Sequence, residues 1–126
     1  MTGVLQGVKV LIVEDEYLVA SLIEDMLLFA GCVVCGPVPR LAQALDAANT
    51  EACDVAVLDI NLAGQWSYPV AEALSRRNVP FVFVTGYGSN AMPAEFADRP
   101  RVHKPFKMNE LLAVLSSMVS GSGGAS

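Results

Sequence analysis

Carboxylates follow two apolar runs of this sequence at the point where each run ends. Glu14-Asp15-Glu16 follows Val10 to Val13, and Asp59 follows Val55 to Leu58. If both runs are strands of a parallel sheet, their carboxyl ends bring these side chains to one edge. Carboxylates so close together repel one another unless a cation joins them, and Mg²⁺ prefers oxygen ligands. The pattern predicts a magnesium site at which the Asp59 carboxylate attacks a phosphoryl group.

Two further polar residues stand where this chemistry needs them. Thr85 ends the apolar run that begins at Phe81, and Lys104 precedes Pro105 after a short run near the C-terminus. The Thr85 hydroxyl can donate to a phosphoryl oxygen, and the Lys104 ammonium can neutralise its charge. Singly, each residue has an ordinary explanation as a strand residue or a surface charge. Together, at the ends of the predicted elements, they favour a functional site.

The elements that must position these side chains alternate along the chain. Near-continuous apolar runs predict buried parallel strands, and helical spacing predicts the helices between them. The predicted strands are Val8 to Val13, Val33 to Cys35, Val55 to Leu58, Phe81 to Val84 and a short Arg101 to His103. The predicted helices are Tyr17 to Ala30, Leu41 to Ala48, one from Ser67 or Tyr68 to before Pro80, and Met108 to Val119. This alternation predicts an α/β domain with a doubly wound parallel sheet flanked by helices.

Composition narrows the class of protein. The 126 residues are 53% hydrophobic and 17% charged, which predicts one globular domain over residues 1–120, with a flexible Gly/Ser-rich tail over residues 121–126. A net charge of -5 disfavours direct contact with nucleic acid. The longest mostly apolar stretch, Met26 to Val38, is too short and too interrupted to insert in a membrane. With no visible signal peptide, we expect a cytoplasmic protein that acts alone or through a partner.

The cysteines have one suggestive spacing. Cys32 and Cys35 are separated by two residues, as in redox motifs, but the intervening valines favour a strand. Positions three apart in a strand face opposite ways. We therefore interpret both cysteines as small core side chains. The sole histidine, His103, has no second metal-binding partner in the pattern and is interpreted as structural.

The motifs together resemble a known family. Val10 to Glu16, Asp59, Thr85-Gly86 and Lys104-Pro105-Phe106 resemble, in order and over almost the whole chain, the receiver domains of two-component response regulators. The resemblance implies a flavodoxin-like, CheY-like sheet with strand order 2-1-3-4-5. It also implies a signalling domain that accepts a phosphoryl group from a histidine kinase or a histidine phosphotransfer protein. Such a domain catalyses only its own Mg²⁺-dependent phosphorylation and dephosphorylation, and it signals by docking to a partner or acts as a phosphate sink.

Roles for single residues follow from the same resemblance. It implies that Glu14 and Asp15 hold Mg²⁺ and that the backbone carbonyl of Asn61 completes the metal site. Asp59 is then both a metal ligand and the phosphoacceptor. Thr85 and Lys104 hold the phosphoryl group, as the residues themselves already indicate.

The sequence departs from the usual receiver pattern at one position. Receivers usually carry an aromatic residue three positions before the lysine, where this chain has Arg101. The segment Pro80 to Gly88 resembles the signature of the FATGUY group of single-domain receivers, with Val84 in place of alanine, and this implies partner kinases of the HWE type. Residues 87–99 contain few apolar side chains, so we expect a short or poorly formed fourth helix. Tyr87 and Arg101 are the candidate switch residues, with Tyr87 repacking as this segment becomes ordered.

Three other functions compete with this interpretation. A flavodoxin-like flavin electron carrier would have to bind the flavin phosphate beside Glu14-Asp15-Glu16, which would repel it. An aspartate-nucleophile phosphatase normally has a second carboxylate two residues after the nucleophile, where this chain has Asn61. A docking module that needs no phosphorylation is disfavoured only by the complete set of site residues. Trp66, in the predicted loop after Asp59, either caps the crevice or contacts a partner.

Overall fold

Helices and strands alternate through the part of the chain that the structure describes. The structure is a computed structural model that describes residues 3–86 and 93–124, with side chains through residue 119. The strands are β1 (Lys9–Val13), β2 (Val33–Val38), β3 (Val55–Asp59), β4 (Asn61–Leu62), β5 (Gln65–Trp66), β6 (Phe81–Thr85) and β7 (Arg101–His103). The α-helices are α1 (Tyr17–Phe29), α2 (Leu41–Thr50), α3 (Tyr68–Arg76) and α4 (Met108–Gly124).

Five strands form one parallel sheet in the order β2-β1-β3-β6-β7. Counting only these five strands, the predicted order 2-1-3-4-5 and the α/β class are confirmed. β3 and β6 are buried along their whole lengths, which explains their continuous apolar sequences. Leu58 and Phe83 pack on the face that carries α2 and α3, whereas Val57 packs on the face that carries α1 and α4.

A short hairpin follows β3 where a loop was predicted. β4 and β5 pair antiparallel, with Asn61 opposite Trp66 and Leu62 opposite Gln65. The two residues between them, Ala63 and Gly64, have φ values of 51° and 88°. A two-residue hairpin turn needs this left-handed backbone, and its usual sequence is Asn-Gly or Asp-Gly. The alanine at the first turn position is why the sequence did not indicate the hairpin.

Two elements extend beyond their predicted ends. β2 was predicted to end at Cys35, yet it resumes pairing at Val38 after a register shift. Gly36 permits the shift because its φ is +95°, and a Cβ there would lie 2.9 Å from the Ile12 carbonyl oxygen. α4 continues to Gly124, so residues 121–124 of the predicted flexible tail are helical. Propagation from the packed turns of a long helix is easier than nucleation of a new one.

Between β6 and β7 the described residues, 93–100, contain a single 3₁₀ turn at Ala94–Phe96 and no α-helix. This part agrees with a poorly formed fourth helix. The remaining residues of the predicted helix, 87–92, lie outside the described residues, and the candidate switch residue Tyr87 lies among them.

The cysteines are free thiols on opposite sides of the sheet. Cys32 packs in the apolar cluster beneath α1 and α4, and Cys35 packs against the cluster beneath α2 and α3. The expectation of small core side chains facing opposite ways is confirmed.

None of the helices in the described part of the chain combines the length and apolar character needed to cross a bilayer.

Candidate functional site

The carboxyl ends of the three central strands bring the predicted site residues together. Glu14 directly follows β1, Asp59 ends β3 and Thr85 ends β6. All three are buried although they are polar, with relative exposures of 2%, 6% and 1%. The parallel register of these strands is what carries three residues, widely separated in sequence, to one edge of the sheet.

Three carboxylates form the acidic centre of the site. One oxygen from each of Glu14, Asp15 and Asp59 lies within 4.8 Å of the others. Backbone amides hold two of them: Ala63 N–H donates to Asp15 Oδ2 at 3.1 Å, and Asn61 N–H donates to Asp59 Oδ1 at 3.3 Å. The structure therefore brings together three carboxylates that the sequence analysis singled out, and their role as metal ligands stays a prediction.

The donor set fits a divalent cation. Glu14 Oε1 is buried and accepts no hydrogen bond from any described residue, although it lies 3.4 Å from Lys104 Nζ. A buried carboxylate oxygen without a donor is unfavourable unless a cation supplies its partner. Three clustered carboxylates that keep oxygens available match the ligand preference of Mg²⁺.

Burial makes these carboxylates hard to ionise. Desolvation, followed by the influence of the neighbouring Asp59 carboxyl, raises the pKa of Glu14 to about 8. Desolvation also raises the pKa of Asp59, while Lys104 and the Asn61 amide oppose that rise. Simultaneous ionisation of both carboxyls is therefore disfavoured when no metal ion is bound.

Lys104 supplies the positive charge of the site. It follows β7, and its backbone N–H donates to the Thr85 carbonyl at 2.8 Å, which fixes the lysine beside the end of β6. Its Nζ lies 2.8 Å from Glu16 Oε1, 3.3 Å from Asp59 Oδ2 and 3.4 Å from Glu14 Oε1. Burial disfavours the charged ammonium, but the surrounding carboxylates outweigh it and raise the pKa of Lys104 above its ordinary value.

These residues open onto a cleft of about 730 Å³, here called the acidic cleft. Its polar lining includes Asp15, Glu16, Asp59, Asn61 and Lys104, and its apolar lining includes Val19, Leu22, Pro105 and Phe106. The volume is large enough for a phosphoryl group and part of a donor side chain. An acidic centre with one lysine and an apolar rim suits transfer of a phosphoryl group from another protein.

Comparisons with known proteins place this site in a family. A model of the response regulator receiver domain matches residues 10–116, most of the chain. The chain belongs to the receiver domain family of two-component response regulators. A search among curated proteins gives no match.

Solved structures of receivers resemble this one closely. The solution structure of SdrG from Sphingomonas melonis Fr1 is 40% identical, with a TM-score of 0.80 over 90% of this chain and 97% of that chain. The receiver domain of the sensor histidine kinase PA1611 from Pseudomonas aeruginosa PAO1, which has magnesium in its active-site cleft, is 26% identical with a TM-score of 0.75. That match covers 90% of this chain and 98% of the other. SdrG also matches in its BeF3-activated conformation, at 40% identity and a TM-score of 0.74, over 88% of this chain and 95% of that chain.

Within this receiver, sequence reasoning missed the support beneath Asp59. Ser67 was considered only as a possible helix start, yet its buried hydroxyl donates to the Asp59 carbonyl, and its N–H donates to the Ile60 carbonyl at 2.8 Å. These two bonds join the start of α3 to the end of β3, and they close the hairpin beside the site. A serine just before a helix usually indicates an N-cap, so the sequence carried a signal, but for a different bond.

At the switch positions the receiver has an unusual arrangement. Arg101 starts β7, and its guanidinium donates to the Ala97 carbonyl at 2.8 Å. The Thr85 hydroxyl donates to the Gly86 carbonyl at 2.6 Å, so it must reorient to reach a phosphoryl oxygen. The predicted switch roles of Tyr87 and Arg101 stay predictions.

An aromatic cluster occupies the side of the sheet where the usual switch would act. Its members are Trp66, Tyr68, Phe81, Phe83 and Phe96. Tyr68 stacks between Trp66 and Phe96, with ring centroids 5.8 Å apart on each side, and Phe83 packs edge-on against Phe96 at 5.9 Å. Trp66 is 58% exposed, so one end of the cluster faces solvent beside the hairpin.

Proposed function

We propose that this receiver accepts a phosphoryl group on Asp59 from the phosphohistidine of a histidine kinase or of a histidine phosphotransfer protein. An Asp59 carboxylate oxygen attacks phosphorus, the P–N bond breaks with its electron pair left on the imidazole, and Asp59 becomes an acyl phosphate. The observation that carries the proposal is the buried Asp59 carboxylate, which faces Lys104 across 3.3 Å inside an open acidic cleft.

The proposed roles of the neighbouring residues follow from their chemistry. Glu14, Asp15, Asp59 and the backbone carbonyl of Asn61 would hold Mg²⁺. When bound, Mg²⁺ would offset the negative charge that builds up on the phosphoryl oxygens. Lys104 would pair with one phosphoryl oxygen, and Thr85 would donate its hydroxyl to another.

The proposed donor meets a helix face beside the cleft. Leu18 and Leu22 of α1 are 80% and 50% exposed, and Leu22 also lines the cleft with Phe106. Apolar side chains exposed beside a phosphorylation site are suited to a helical partner. The likeness to SdrG and the signature at Pro80 to Gly88 support a FATGUY receiver that serves an HWE-type kinase, and both assignments belong to this proposal.

After the proposed reaction, the phosphorylated receiver docks to a partner or is dephosphorylated, and it does not turn over a separate substrate. The receiver would act as a stand-alone signalling domain that docks to a partner, or as a phosphate sink for a kinase. The net charge of -5 argues against DNA or RNA as that partner. We place the reaction in the cytoplasm, where kinases of this type present their phosphohistidine.

Labelling with a radioactive phosphodonor tests the proposal. Asp59→Asn should lose labelling by both a candidate kinase and acetyl phosphate, since an amide forms no acyl phosphate. Asp46→Asn, which removes an exposed carboxylate from α2, is the matched control and should label normally. Undiminished labelling of Asp59→Asn would move the phosphoacceptor to another residue.

The partner surface has a separate test. Leu18→Ser should slow transfer from the kinase while leaving acetyl phosphate labelling unchanged, because only the protein donor needs the helix face. Equal losses with both donors would indicate damage to the site instead. Repeated turnover of a small phosphoester by the wild type would support the phosphatase alternative, and a yellow purified protein would support the flavin carrier.

A further inference from the structure

The shortest ionic contact of Lys104 is not with the proposed phosphoacceptor. Nζ lies 2.8 Å from Glu16 Oε1, against 3.3 Å from Asp59 and at least 3.4 Å from Glu14. Charge-assisted N–H···O bonds are shortest, about 2.7–2.9 Å, when they are strong. The contact with Glu16 alone falls in that range. The lysine is therefore drawn toward the rim of the cleft, where the Glu16 side chain is 60% exposed.

The position of Glu16 is fixed by its backbone. Its N–H donates to Glu14 Oε2 at 3.1 Å, and its carbonyl accepts from Ala20 N–H at 2.9 Å in the first turn of α1. An acidic residue at a helix start ordinarily caps the helix or interacts with its dipole. Glu16 makes no capping bond with its side chain. Its carboxylate lines the acidic cleft and contacts Lys104 instead.

A phosphoryl group on Asp59 changes the balance of charge around the lysine. The group brings further negative charge into the cleft, and pairing with it moves Nζ away from Glu16. The Glu16 carboxylate then remains on the rim of the same cleft without its cation, near a group of like charge. Both effects disfavour the phosphorylated state relative to a receiver with an uncharged residue at this position.

We propose that Glu16 is a positioning residue that holds Lys104 at the rim of the cleft and thereby limits how tightly the receiver binds the phosphoryl group. This inference rests on the proposed phosphorylation of Asp59. It assigns a distinct task to Glu16, which touches neither the phosphoryl group nor Asp59. Its main effect on the site passes through the lysine, and the repulsion between its carboxylate and the phosphoryl group adds to that effect.

Beryllofluoride in saturating Mg²⁺ serves as the phosphoryl mimic, and binding is followed by NMR shifts of the site amides. Glu16→Gln should bind beryllofluoride roughly two- to tenfold more tightly, the range expected for release of a partly exposed ion pair together with one like-charge repulsion. Glu16→Asp keeps the charge but withdraws the carboxylate by one methylene, so its affinity should lie between those of Glu16→Gln and the wild type. Asp25→Asn removes an exposed charge from the same helix and should change nothing.

Three further measurements separate the hold of Glu16 on Lys104 from a general charge effect. Because it removes an acid from the cleft, Glu16→Gln should bind Mg²⁺ with unchanged or lower affinity. The expected gain in beryllofluoride affinity therefore has the opposite sign to any change in Mg²⁺ affinity. In the metal-free protein, Lys104 ammonium protons should exchange with solvent faster in Glu16→Gln than in wild type. In a Lys104→Met background the effect of Glu16→Gln on beryllofluoride affinity should shrink to the part that comes from like-charge repulsion alone.

The outcomes distinguish failure of this inference from failure of the proposed function. Normal beryllofluoride binding by the wild type, with equal or weaker binding by Glu16→Gln, overturns the role of Glu16 and leaves the phosphoacceptor intact. A gain of undiminished size in the Lys104→Met background also overturns it. If the wild type binds no beryllofluoride at Asp59, the proposed function fails and the role of Glu16 fails with it.

Discussion

The acidic cleft and the aromatic cluster adjoin at the hairpin after β3, yet they are built on opposite principles. The cleft gathers the carboxylates of Glu14, Asp15 and Asp59, with Lys104 beside Glu14 and Asp59, and leaves a buried Glu14 oxygen without a hydrogen-bond donor among the described residues. The aromatic cluster packs Phe83 and Phe96 against Tyr68 and packs Phe81 against both phenylalanines, and Arg99 lies 4.8 Å above the Phe81 ring. Polar groups of the acidic cleft lack partners until a ligand binds, whereas the side chains of the aromatic cluster already pack against one another.

The difference teaches where stability and function reside in this receiver. A site that is unsatisfied alone gains most from a cation and a phosphoryl group, so its residues should affect binding more than folding. A closely packed aromatic region should affect folding more than binding. Variants in the two regions can break or sharpen this contrast.

Phe96→Ala should have the largest effect. Phe96 is 3% exposed and contacts three other rings, so its removal should lower the free energy of unfolding by about 3–5 kcal/mol. Thermal and urea denaturation measure the loss, and Mg²⁺ affinity measured at low temperature should stay near the wild-type value. A variant with normal stability but weak Mg²⁺ binding would erase the contrast between the two regions.

Lys104→Ala should show the reverse pattern. Loss of the only described cation in contact with Glu14 and Asp59 should weaken beryllofluoride binding by about ten- to a hundredfold, since the phosphoryl oxygens lose their charged partner. The fold should persist, because the lysine side chain lies at the cleft and is 19% exposed. The phosphorylated variant should also bind a docking partner more weakly than the phosphorylated wild type. Equal affinities of the phosphorylated variant and the phosphorylated wild type for the partner would show that Lys104 has no role in signalling.

Glu14→Gln should make the metal-free receiver more stable at alkaline pH. The pKa of Glu14 is about 8 in the folded protein and 4.5 in the unfolded reference, so the folded state binds the proton more tightly. The resulting stability is complete below about pH 4.5 and is lost as the pH rises through 8. Glutamine does not ionise, so Glu14→Gln does not lose this stability as the pH rises. We expect the Tm of Glu14→Gln at pH 8.5 to exceed that of the wild type by roughly 3–6 °C for each ~1 kcal/mol of unfolding free energy that the variant keeps.

The pH dependence supplies the control for Glu14. At pH 5 the two proteins should melt at similar temperatures, and at pH 8.5 Mg²⁺ should stabilise the wild type far more than the variant. A Tm difference that is the same at both pH values would mean that the carboxyl of Glu14 keeps an ordinary pKa.

The smallest expected effect is spectroscopic. Trp66 lies on the hairpin whose Ala63 amide holds Asp15, and its ring stacks on Tyr68. Mg²⁺ should therefore quench or shift its fluorescence, and Asp15→Asn should move the response to higher Mg²⁺ concentration through loss of a charged ligand. A flat fluorescence titration, with metal binding shown by calorimetry, would separate the hairpin from the metal site.

The sequence was sufficient to predict site residues that lie at strand ends. It was not sufficient to predict contacts that depend on side-chain conformation or on a turn. Glu14, Asp59 and Thr85 were predictable because apolar runs locate the strands, and a parallel sheet brings their carboxyl ends together. The ion pair of Glu16 with Lys104 joins residues 88 positions apart and depends on side-chain conformations that no pattern encodes. Ser67 was ambiguous for a different reason, since a hydroxyl before a helix has several acceptors within reach.

The register shift in β2 bears on how the receiver behaves at high concentration. Among the described strands β2 pairs only with β1, so in this part of the chain its other edge presents backbone groups to a neighbouring molecule, beside the half-exposed Val33. Pro37 has no N–H to offer, and the displaced Gly36 breaks the even spacing that an incoming strand would need. The bend that sets the end of β2 beside Glu14 should thus also discourage pairing between the edge strands of two molecules. The receiver can therefore expose apolar side chains for transient contacts with a partner without forming fibrils.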